Sequence, residues 1–356
     1  MKLLILSRYG YSGSSSRYRI IQYLPFLEKE GWQITIHSLL DDNYVQKFYL
    51  KEPLPKADII RSYLKRINIL LHSEKYDLIW LQQEAFPWLP PFIETFLLKS
   101  KIPLVVDHDD AFFHRYDLHK WSIVRKILGK KIDRTMKLSN LVIVGNAYLA
   151  ERASLSSQNV KILPTVIDIL KYNPDQKFKE PHDKFIIGWI GSPPNACYVK
   201  NIEGPLGQFC NQFNGKLNIV GAGEAFETPF PFENIEWNEE TEVDEIKKFD
   251  VGIMPLTDSP WERGKCGFKL IQYMACGIPV IASPVGVNNE IVKEGVNGFL
   301  ANTDADWFKY LKILENNPDL RKQMGLNGRK LVEEKFTLQV NSPILTKLLK
   351  ETAFPG

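Results

Sequence analysis

The chain has 356 residues, of which 44% are hydrophobic and 24% are charged. These proportions are those of a globular protein long enough for two domains, and they exclude a small fold that depends on disulfides. The net charge of +3 conceals an asymmetry, because residues 1–182 have a net charge of +8 and residues 183–356 one of −5, so we expect the two halves to offer different surfaces to different partners.

Cysteine spacing and hydropathy both indicate an intracellular protein. The four cysteines, Cys197, Cys210, Cys266 and Cys276, follow neither a CxxC nor a zinc-type spacing, so we interpret them as reduced structural thiols. The apolar run at residues 3–6 is too short for a signal peptide, and no run approaches the roughly 18 apolar residues of a membrane span. We therefore expect a cytoplasmic protein, which could still bind peripherally to the inner face of a membrane.

The first half is predicted to alternate strands and helices. A strand at residues 3–7 precedes a Gly/Ser loop and a helix that ends near Gly31. Further strands are predicted in the segments WQITIHSL, DLIWLQ, PLVVDH, LVIVGN and VKILP. Because most of these runs are apolar without alternation, they are typical of a parallel sheet that is buried on both faces.

The second half repeats this pattern, with strands predicted in FIIGWIG, LNIVGAG, NIEWN, DVGIMPL, PVIASP and GFLAN. The sequence therefore predicts an α/β protein of two doubly wound, Rossmann-like domains that face a central cleft. We place the first domain at 1–168, a linker rich in Pro, Lys and Asp at 169–183, and the second domain at 184–338. Residues 339–356 are expected to form a C-terminal helix that could pack back toward the first domain.

The most informative segment, residues 250–300, predicts a strand, a loop, a helix and a further strand. The loop WERGKCG leads directly into the helix FKLIQYMACG. Glycines before a helix leave backbone N–H groups available at its positive end. Arg263, Lys265 and Lys269 add cationic groups there. This arrangement suits a diphosphate, although an ordinary basic loop is the alternative interpretation.

At this segment the sequence closely resembles the retaining glycosyltransferases of family 4, which have the GT-B fold. The stretch YMACGIPVIA at 273–282 is similar to the family's EAMACGxPVVA signature, and Gly295, Asn297, Gly298 and Phe299 match its xGxNGxL segment. VGAG at 220–223 resembles the VGxGP turn, and residues 324–329 resemble the MGxxGR helix. The resemblance covers nearly all of residues 183–335 and, more weakly, the N-terminal half.

The resemblance implies an activity and a set of partners. A nucleotide-diphosphate sugar would be the co-substrate, without a cofactor or a metal, and its sugar would pass with retention of configuration to a saccharide or lipid-linked acceptor in polysaccharide or glycolipid biosynthesis. No nucleic acid partner is expected. Two alternatives stay open, namely a sugar-nucleotide epimerase of the same fold and a non-catalytic protein that binds nucleotide sugars.

By this resemblance the C-terminal domain holds the donor. The expected donor-binding residues are Gly191, Ser192, Gly221, Arg263, Lys265, Gly267, Phe268, Lys269 and Gln272. The family usually has a Glu, seven residues and a second Glu across this loop and helix, where this chain has Gly264 and Gln272. The amide of Gln272 could still bind the ribose hydroxyls. Gly264 cannot replace the carboxylate that contacts the sugar, so Glu262 is a catalytic candidate in its place.

Two loops of the N-terminal half are further candidates. Gly13, Ser14, Ser15 and Arg17 form a predicted acceptor or phosphate loop, because backbone N–H groups before a helix suit an anion or sugar hydroxyls. A connection capped by Ser15 or Ser16 is the alternative.

After the strand PLVVD, His108, Asp109 and Asp110 are the remaining catalytic candidates. The resemblance places Asp109 in the register where the family commonly has a His beside the anomeric carbon. Two other interpretations apply to this acidic loop: a metal site, for which the ligand spacing is lacking, or a cap for a helix starting at Ala111.

Residues 120–138 predict an amphipathic helix with basic residues around an apolar face. The face contains Trp121, Val124, Leu128 and Ile132. The basic residues are Arg125, Lys126, Lys130, Lys131, Arg134 and Lys137. This helix is either an ordinary surface element or a docking site for an anionic membrane.

Overall fold

The computed structural model describes residues 1–99, 102–172 and 183–355. The chain divides into two compact units: Met1–Val166 with Arg263–Cys266 and Gln339–Gly356, and Ile167–Glu262 with Gly267–Leu338. The short segment 263–266, which the sequence analysis assigned to the second domain, thus belongs to the first unit. Of the predicted linker at 169–183, residues 173–182 lie outside the described residues.

The first unit contains a six-stranded parallel sheet in the order β2-β1-β3-β4-β5-β6. Its strands are β1 (Lys2–Tyr9), β2 (Gln33–Leu40), β3 (Leu78–Gln82), β4 (Leu104–His108), β5 (Leu141–Val144) and β6 (Val160–Ile162). The helices are α1 (Ser14–Arg19), α2 (Leu24–Lys29), α3 (Asp42–Tyr49), α4 (Lys56–Leu71), α5 (Pro91–Leu98), α6 (His114–Asp117), α7 (Ser122–Leu128), α8 (Lys131–Leu138) and α9 (Ala147–Ser154). Every residue of β3 and β4 is buried, as expected for strands covered on both faces.

The second unit has the same plan, with a parallel sheet in the order β12-β11-β10-β7-β8-β9. Its strands are β7 (Phe185–Ile190), β8 (Gly215–Val220), β9 (Phe232–Ile235), β10 (Val251–Met254), β11 (Val280–Ala282) and β12 (Gly298–Leu300). Its helices are α10 (Cys197–Lys200), α11 (Glu203–Gln212), α12 (Glu242–Lys247), α13 (Pro260–Arg263), α14 (Phe268–Ala275), α15 (Asn288–Ile291), α16 (Asp304–Asn316) and α17 (Pro318–Lys335). The last helix, α18 (Leu338–Ala353), belongs from Gln339 onward to the first unit. The predicted pair of doubly wound parallel sheets is confirmed.

The prediction of one continuous helix over 120–138 is wrong. The segment forms two helices, α7 and α8, with a break at Gly129 and Lys130. Lys131 is fully buried rather than exposed, because its ammonium group forms ion pairs with Glu84 and Glu94. Trp121, which the pattern placed on the inner face, is 61% exposed. No helix among the described residues is long and apolar enough to cross a membrane.

Candidate active site

Polar side chains gather at the carboxyl ends of β1, β3 and β4 in the first unit. The chain leaves β1 toward β2 on one side and later returns to β3 on the other. A reversal of this kind opens a crevice at the carboxyl ends of the strands, which is where ligands bind in open α/β sheets. The side chains at this edge are Arg8, Tyr9, Gln82, Gln83, Glu84, His108 and Asp109.

Two neighbours hold the Asp109 carboxylate in place. The hydroxyl of Ser15 donates to Asp109 Oδ2, and Gln83 Nε2 donates to Asp109 Oδ1 at 3.1 Å. Gln82 Nε2 in turn donates to Ser15 Oγ at 2.9 Å. The structure thus brings together Ser15 of the predicted acceptor loop and Asp109 of the predicted catalytic loop, and the hydrogen bonds fix the carboxylate while leaving it half-buried.

His108 lies next to this carboxylate in sequence but in a different environment. It is fully buried, and no described residue forms a hydrogen bond with either ring nitrogen. Burial lowers the pKa of His108 to about 4, so the imidazole is neutral at pH 7. The half-buried Asp110 follows Asp109. Neither aspartate caps a helix at Ala111, because α6 begins at His114 and has no side-chain cap; the capping interpretation is wrong.

The rest of the predicted acceptor loop surrounds the start of α1. Gly13 precedes that helix, and a Cβ atom at this position would lie 2.3 Å from the Cβ of Tyr9. Ser14 is exposed, whereas Arg17 is buried, donates to the carbonyl oxygen of Tyr11 at 3.3 Å and lies over the ring of Tyr18 at 5.0 Å. Ser15 and Ser16 lie inside α1 and do not cap it.

The segment 263–266 makes close contacts within the first unit. Asn146 Nδ2 donates to the carbonyl oxygens of Gly264 and Lys265 at 2.9 and 3.0 Å. The thiol of Cys266 donates to the backbone carbonyl of Asp109 at 2.9 Å. A Cβ atom on Gly264 would lie 2.5 Å from the Cβ and 2.8 Å from the nitrogen of Ala111. A glutamate therefore cannot occupy position 264 in this arrangement, which gives a physical reason for the departure from the family pattern.

In the second unit the predicted donor residues lie where the order of strands reverses between β7 and β10. Gly191 and Ser192 directly follow β7, and Gly221 follows β8 with a φ of +78°. Lys269 is in the first turn of α14, with its ammonium group 5.5 Å from the centre of the Trp189 ring. A Cβ atom on Gly191 would lie 2.9 Å from Lys269 Cε, so the lysine side chain lies directly against the turn after β7.

The start of α14 requires a glycine. Gly267 has a φ of +65°, and a Cβ atom there would lie 2.5 Å from Ile291 Cδ1. The helix begins with Phe268, and its eight residues place a positive dipole end at Phe268 and Lys269. One helical turn after Phe268, Gln272 is buried and donates from Nε2 to the hydroxyl of Tyr172 at 3.0 Å. No described residue donates to Gln272 Oε1.

Glu262, the candidate replacement for the missing carboxylate, is engaged within its own unit. It is buried in α13 and accepts hydrogen bonds from the hydroxyls of Tyr198 and Ser259. Arg263 is exposed and Lys265 is half-buried. Among the described residues, no group of three or more His, Cys, Asp or Glu side chains is placed to hold a metal ion.

Sequence reasoning missed Arg8, Gln83, Glu84 and Arg115. Arg8 donates to Gln83 Oε1 at 3.3 Å and forms an ion pair with the fully buried Glu84 at 3.4 Å. Gln83 and Glu84 lie in the polar run QQE at the end of the apolar strand LIWL, which is the one sequence signal for them. Arg115 lies in α6, a helix of four residues that is too short to show a helical period in the sequence.

Comparison with known proteins identifies the family. Residues 186–315 match the family model described as "Glycosyl transferases group 1". Over 306 residues the chain is 35% identical to MJ1069, an uncharacterized glycosyltransferase of Methanocaldococcus jannaschii, in an alignment that covers 79% of this chain and 77% of the relative. The chain belongs to the group 1 glycosyltransferases. This confirms the prediction of a group 1 glycosyltransferase and of its sugar-transferring activity.

Solved structures confirm the GT-B fold of this glycosyltransferase. Sucrose-phosphate synthase of Thermosynechococcus elongatus superimposes with a TM-score of 0.73 at 13% identity, covering 99% of this chain and 98% of that one. The HepE protein of Anabaena, solved in complex with UDP, superimposes with a TM-score of 0.71 at 16% identity, covering 99% and 100%; a further structure of HepE contains UDP-glucose. At these identities the likeness concerns the fold alone.

Proposed function

We propose that this glycosyltransferase moves a sugar from a nucleotide-diphosphate sugar to a saccharide or lipid-linked acceptor, with retention of configuration and without a metal ion. UDP is the first nucleotide to test, because the similarly folded HepE of Anabaena was solved with UDP and UDP-glucose. The observation that carries the proposal is the position of Lys269, which lies beside Gly191 and Trp189 at the positive end of α14.

The second unit supplies what a leaving diphosphate needs. When the glycosidic bond of the donor breaks, negative charge develops on the diphosphate, and a preorganised cation and helix end stabilise that charge. Lys269 and the first turn of α14 provide both. Ser192 and the glycines at 191 and 221 allow the backbone to approach the phosphates closely. Gln272 Oε1 would accept a hydrogen bond from a ribose hydroxyl, since its amide nitrogen is already bonded to Tyr172.

The first unit would hold the acceptor. Asp109, fixed by Ser15 and Gln83, would accept a hydrogen bond from a hydroxyl of the reacting sugars, and it would stabilise the positive charge that develops on the transferred sugar. The neutral His108 beside it would add a polar group without a charge. In this proposal the residues themselves neutralise the leaving group, so a chelator should leave turnover unchanged.

Substitution of Lys269 tests the donor site. We expect Lys269→Ala to reduce turnover of the nucleotide sugar by roughly 10²–10³, the usual effect of removing one preorganised charge stabiliser. The matched control is Lys322→Ala, an exposed lysine on α17, which should keep wild-type turnover. The assay is run with and without EDTA. Wild-type turnover in Lys269→Ala would place the diphosphate elsewhere, and loss of turnover in EDTA that a divalent ion restores would contradict metal independence.

We also propose that the enzyme binds anionic membranes through the surface around α7. Exposed apolar residues there are Leu118, Trp121, Ile123 and Ile127, at 57, 61, 57 and 49% exposure. Lys120, Arg125, Lys126 and Lys130 are exposed around them. Apolar side chains that insert between lipids, with basic residues that pair with anionic head groups, are typical of interfacial helices.

Vesicle binding tests this surface. Exchange of Arg125, Lys126 and Lys130 for Gln should weaken sedimentation with vesicles that contain anionic lipid, and salt should weaken binding of the wild type. Lys131 is left unchanged because it is buried in ion pairs. Equal sedimentation with neutral and anionic vesicles would contradict the proposal.

A further inference from the structure

Buried carboxylates and cations form ion pairs beside Arg8. Glu84 and Glu94 are both buried carboxylates. Lys131 Nζ lies 2.8 Å from Glu84 and 3.1 Å from Glu94, and Arg8 lies 3.4 Å from Glu84. The hydroxyl of Tyr116 also donates to Glu84, at 2.8 and 2.9 Å from its two oxygens. Each of the two buried carboxylates therefore already has a cation at ion-pair distance.

Arg115 adds a further positive charge beside these ion pairs. Its guanidinium lies 5.0 Å from the centre of the Phe112 ring, and the guanidinium of Arg8 lies 5.1 Å from the same ring. No described carboxylate lies within ion-pair distance of the half-buried Arg115. Burial, followed by the like charge of Arg8, lowers the pKa of Arg115, and Glu84 only partly opposes that fall. Two guanidinium groups thus share one aromatic ring, and an anion between them would relieve the repulsion.

Two tyrosines lie beside these arginines. Arg8 Nε donates to the hydroxyl of Tyr9 at 3.1 Å, and the ring of Tyr9 stacks on Tyr44 at 6.5 Å. Burial raises the pKa of Tyr44, while Arg8 and Arg115 oppose that rise. The Tyr44 hydroxyl therefore interacts electrostatically with both guanidinium groups. Hydroxyls near two arginines provide further hydrogen bonds for an oxyanion.

The side-chain amide of Gln83 connects Arg8 with the Asp109 carboxylate of the proposed acceptor site. Gln83 accepts from Arg8 through Oε1 at 3.3 Å and donates to Asp109 through Nε2 at 3.1 Å. A single ligand could therefore place a hydroxyl at Asp109 and an anionic group at Arg8 and Arg115. A neutral saccharide would leave Arg115 without an anionic group at ion-pair distance.

We infer that the acceptor of this enzyme contains an anionic group, a phosphate or a carboxylate, and that Arg8 and Arg115 bind it. The planar guanidinium fork matches both groups in two parallel hydrogen bonds. The inference rests on the proposed function, in which the acceptor occupies the first unit and the donor the second. It adds a requirement on substrate class, namely that neutral sugars are poor acceptors.

Calorimetric titration of the full chain tests this inference. The probes are glucose 6-phosphate, glucuronate, neutral glucose and UDP, and the variants are Arg115→Gln and Arg115→Lys, with the exposed Arg134→Gln on α8 as the control. We expect at least one of the two anionic sugars to bind the wild type and glucose to bind at least tenfold more weakly. Arg115→Gln should weaken the anionic sugar by roughly tenfold, about 1.4 kcal/mol, and Arg115→Lys by less. Arg134→Gln should change nothing.

The remaining measurements separate the possible failures. UDP affinity should stay the same in Arg115→Gln, and the melting temperature should not fall, because the substitution removes a repelled charge. If the sugar phosphate binds more tightly than glucuronate, the group is a phosphate; the reverse order indicates a carboxylate. Equal binding of glucose and both anions, or of the anions to wild type and Arg115→Gln, would overturn the inference. Weakened UDP binding in Arg115→Gln would also overturn it, because the anion would then be the donor's. Failure of UDP, and of GDP and ADP titrated in its place, to bind while anion binding is intact would instead contradict the proposed function.

Discussion

Replacement of Asp109 by Asn separates charge from shape at the proposed reaction site. The carboxylate accepts from Ser15 through Oδ2 and from Gln83 through Oδ1. An asparagine can keep its oxygen toward Gln83 Nε2 and turn its amide nitrogen toward Ser15 Oγ, which can accept a hydrogen bond as well as donate one. Both contacts can therefore survive, and only the charge is lost.

The structure sets the expected magnitudes. In Asp109→Asn, two charge-assisted hydrogen bonds become neutral ones, and each neutral bond is weaker by roughly 1 kcal/mol. Because Asp109 is half-buried, the free energy of unfolding should fall by no more than about 1–2 kcal/mol. If the charge stabilises the developing positive charge of the sugar, turnover should fall by roughly 10²–10³, whereas nucleotide affinity should change little, since the interaction strengthens in the transition state.

Three measurements on one variant decide the role of Asp109: melting temperature, nucleotide affinity and turnover per folded molecule. Ser15→Ala is the companion variant, because it removes one donor and keeps the charge; it should lower turnover less than Asp109→Asn does. An Asp109→Asn protein that turns over at the wild-type rate would refute a catalytic charge at this position. Equal loss of nucleotide affinity and turnover would indicate that the residue binds donor rather than acting in the reaction.

Two further predictions concern stability. Gly264→Ala should destabilise the protein by about 1–3 kcal/mol, because its Cβ would lie 2.8 Å from the backbone nitrogen of Ala111; the control Gly204→Ala, whose Cβ would meet nothing closer than 3.8 Å, should be neutral or stabilising in thermal melts. For His108, the pKa of about 4 lies below the ordinary 6.5, so the unfolded chain takes up the proton first and the free energy of unfolding should fall as pH drops from about 6.5 toward 4. Urea titrations give the free energy of unfolding at pH 7 and at pH 4.5. Between these two values it should fall by roughly 2 kcal/mol less in the His108→Leu variant, which cannot titrate there, than in the wild type. The same fall in both proteins would contradict a buried neutral His108.

The sequence predicts the sheets well because their pattern is local. Segments such as LIWLQ and LVVDH are apolar without alternation, and both form fully buried strands in a parallel sheet. The glycine before α14 is likewise a local pattern, and its positive φ is observed. These features depend on neighbouring residues in the chain, which a sequence displays directly.

The errors concern contacts between distant residues. The basic segment around Lys131 predicts an exposed side chain. Ion pairs with Glu84 and Glu94, which lie 47 and 37 positions away in the chain, stabilise it in the interior instead. The close packing of Gly264 on Ala111, which leaves room for glycine alone, is likewise a contact between positions far apart in the chain. The link from Arg8 through Gln83 to Asp109 joins three strand ends, and no spacing in the sequence indicates it.

Release of nucleotide tests the central proposal most directly. The full chain is incubated in EDTA with UDP-glucose and with glucose 6-phosphate or glucuronate as acceptor, and free UDP is measured over time. GDP and ADP sugars are tested in parallel, and Lys269→Ala is the control. We predict that one of these donors is consumed by the wild type above the rate in buffer, and that Lys269→Ala reduces that rate by roughly 10²–10³. If no donor is consumed although a nucleotide raises the melting temperature of the wild type, the second unit binds nucleotide sugars without transferring them, and the proposed function is contradicted.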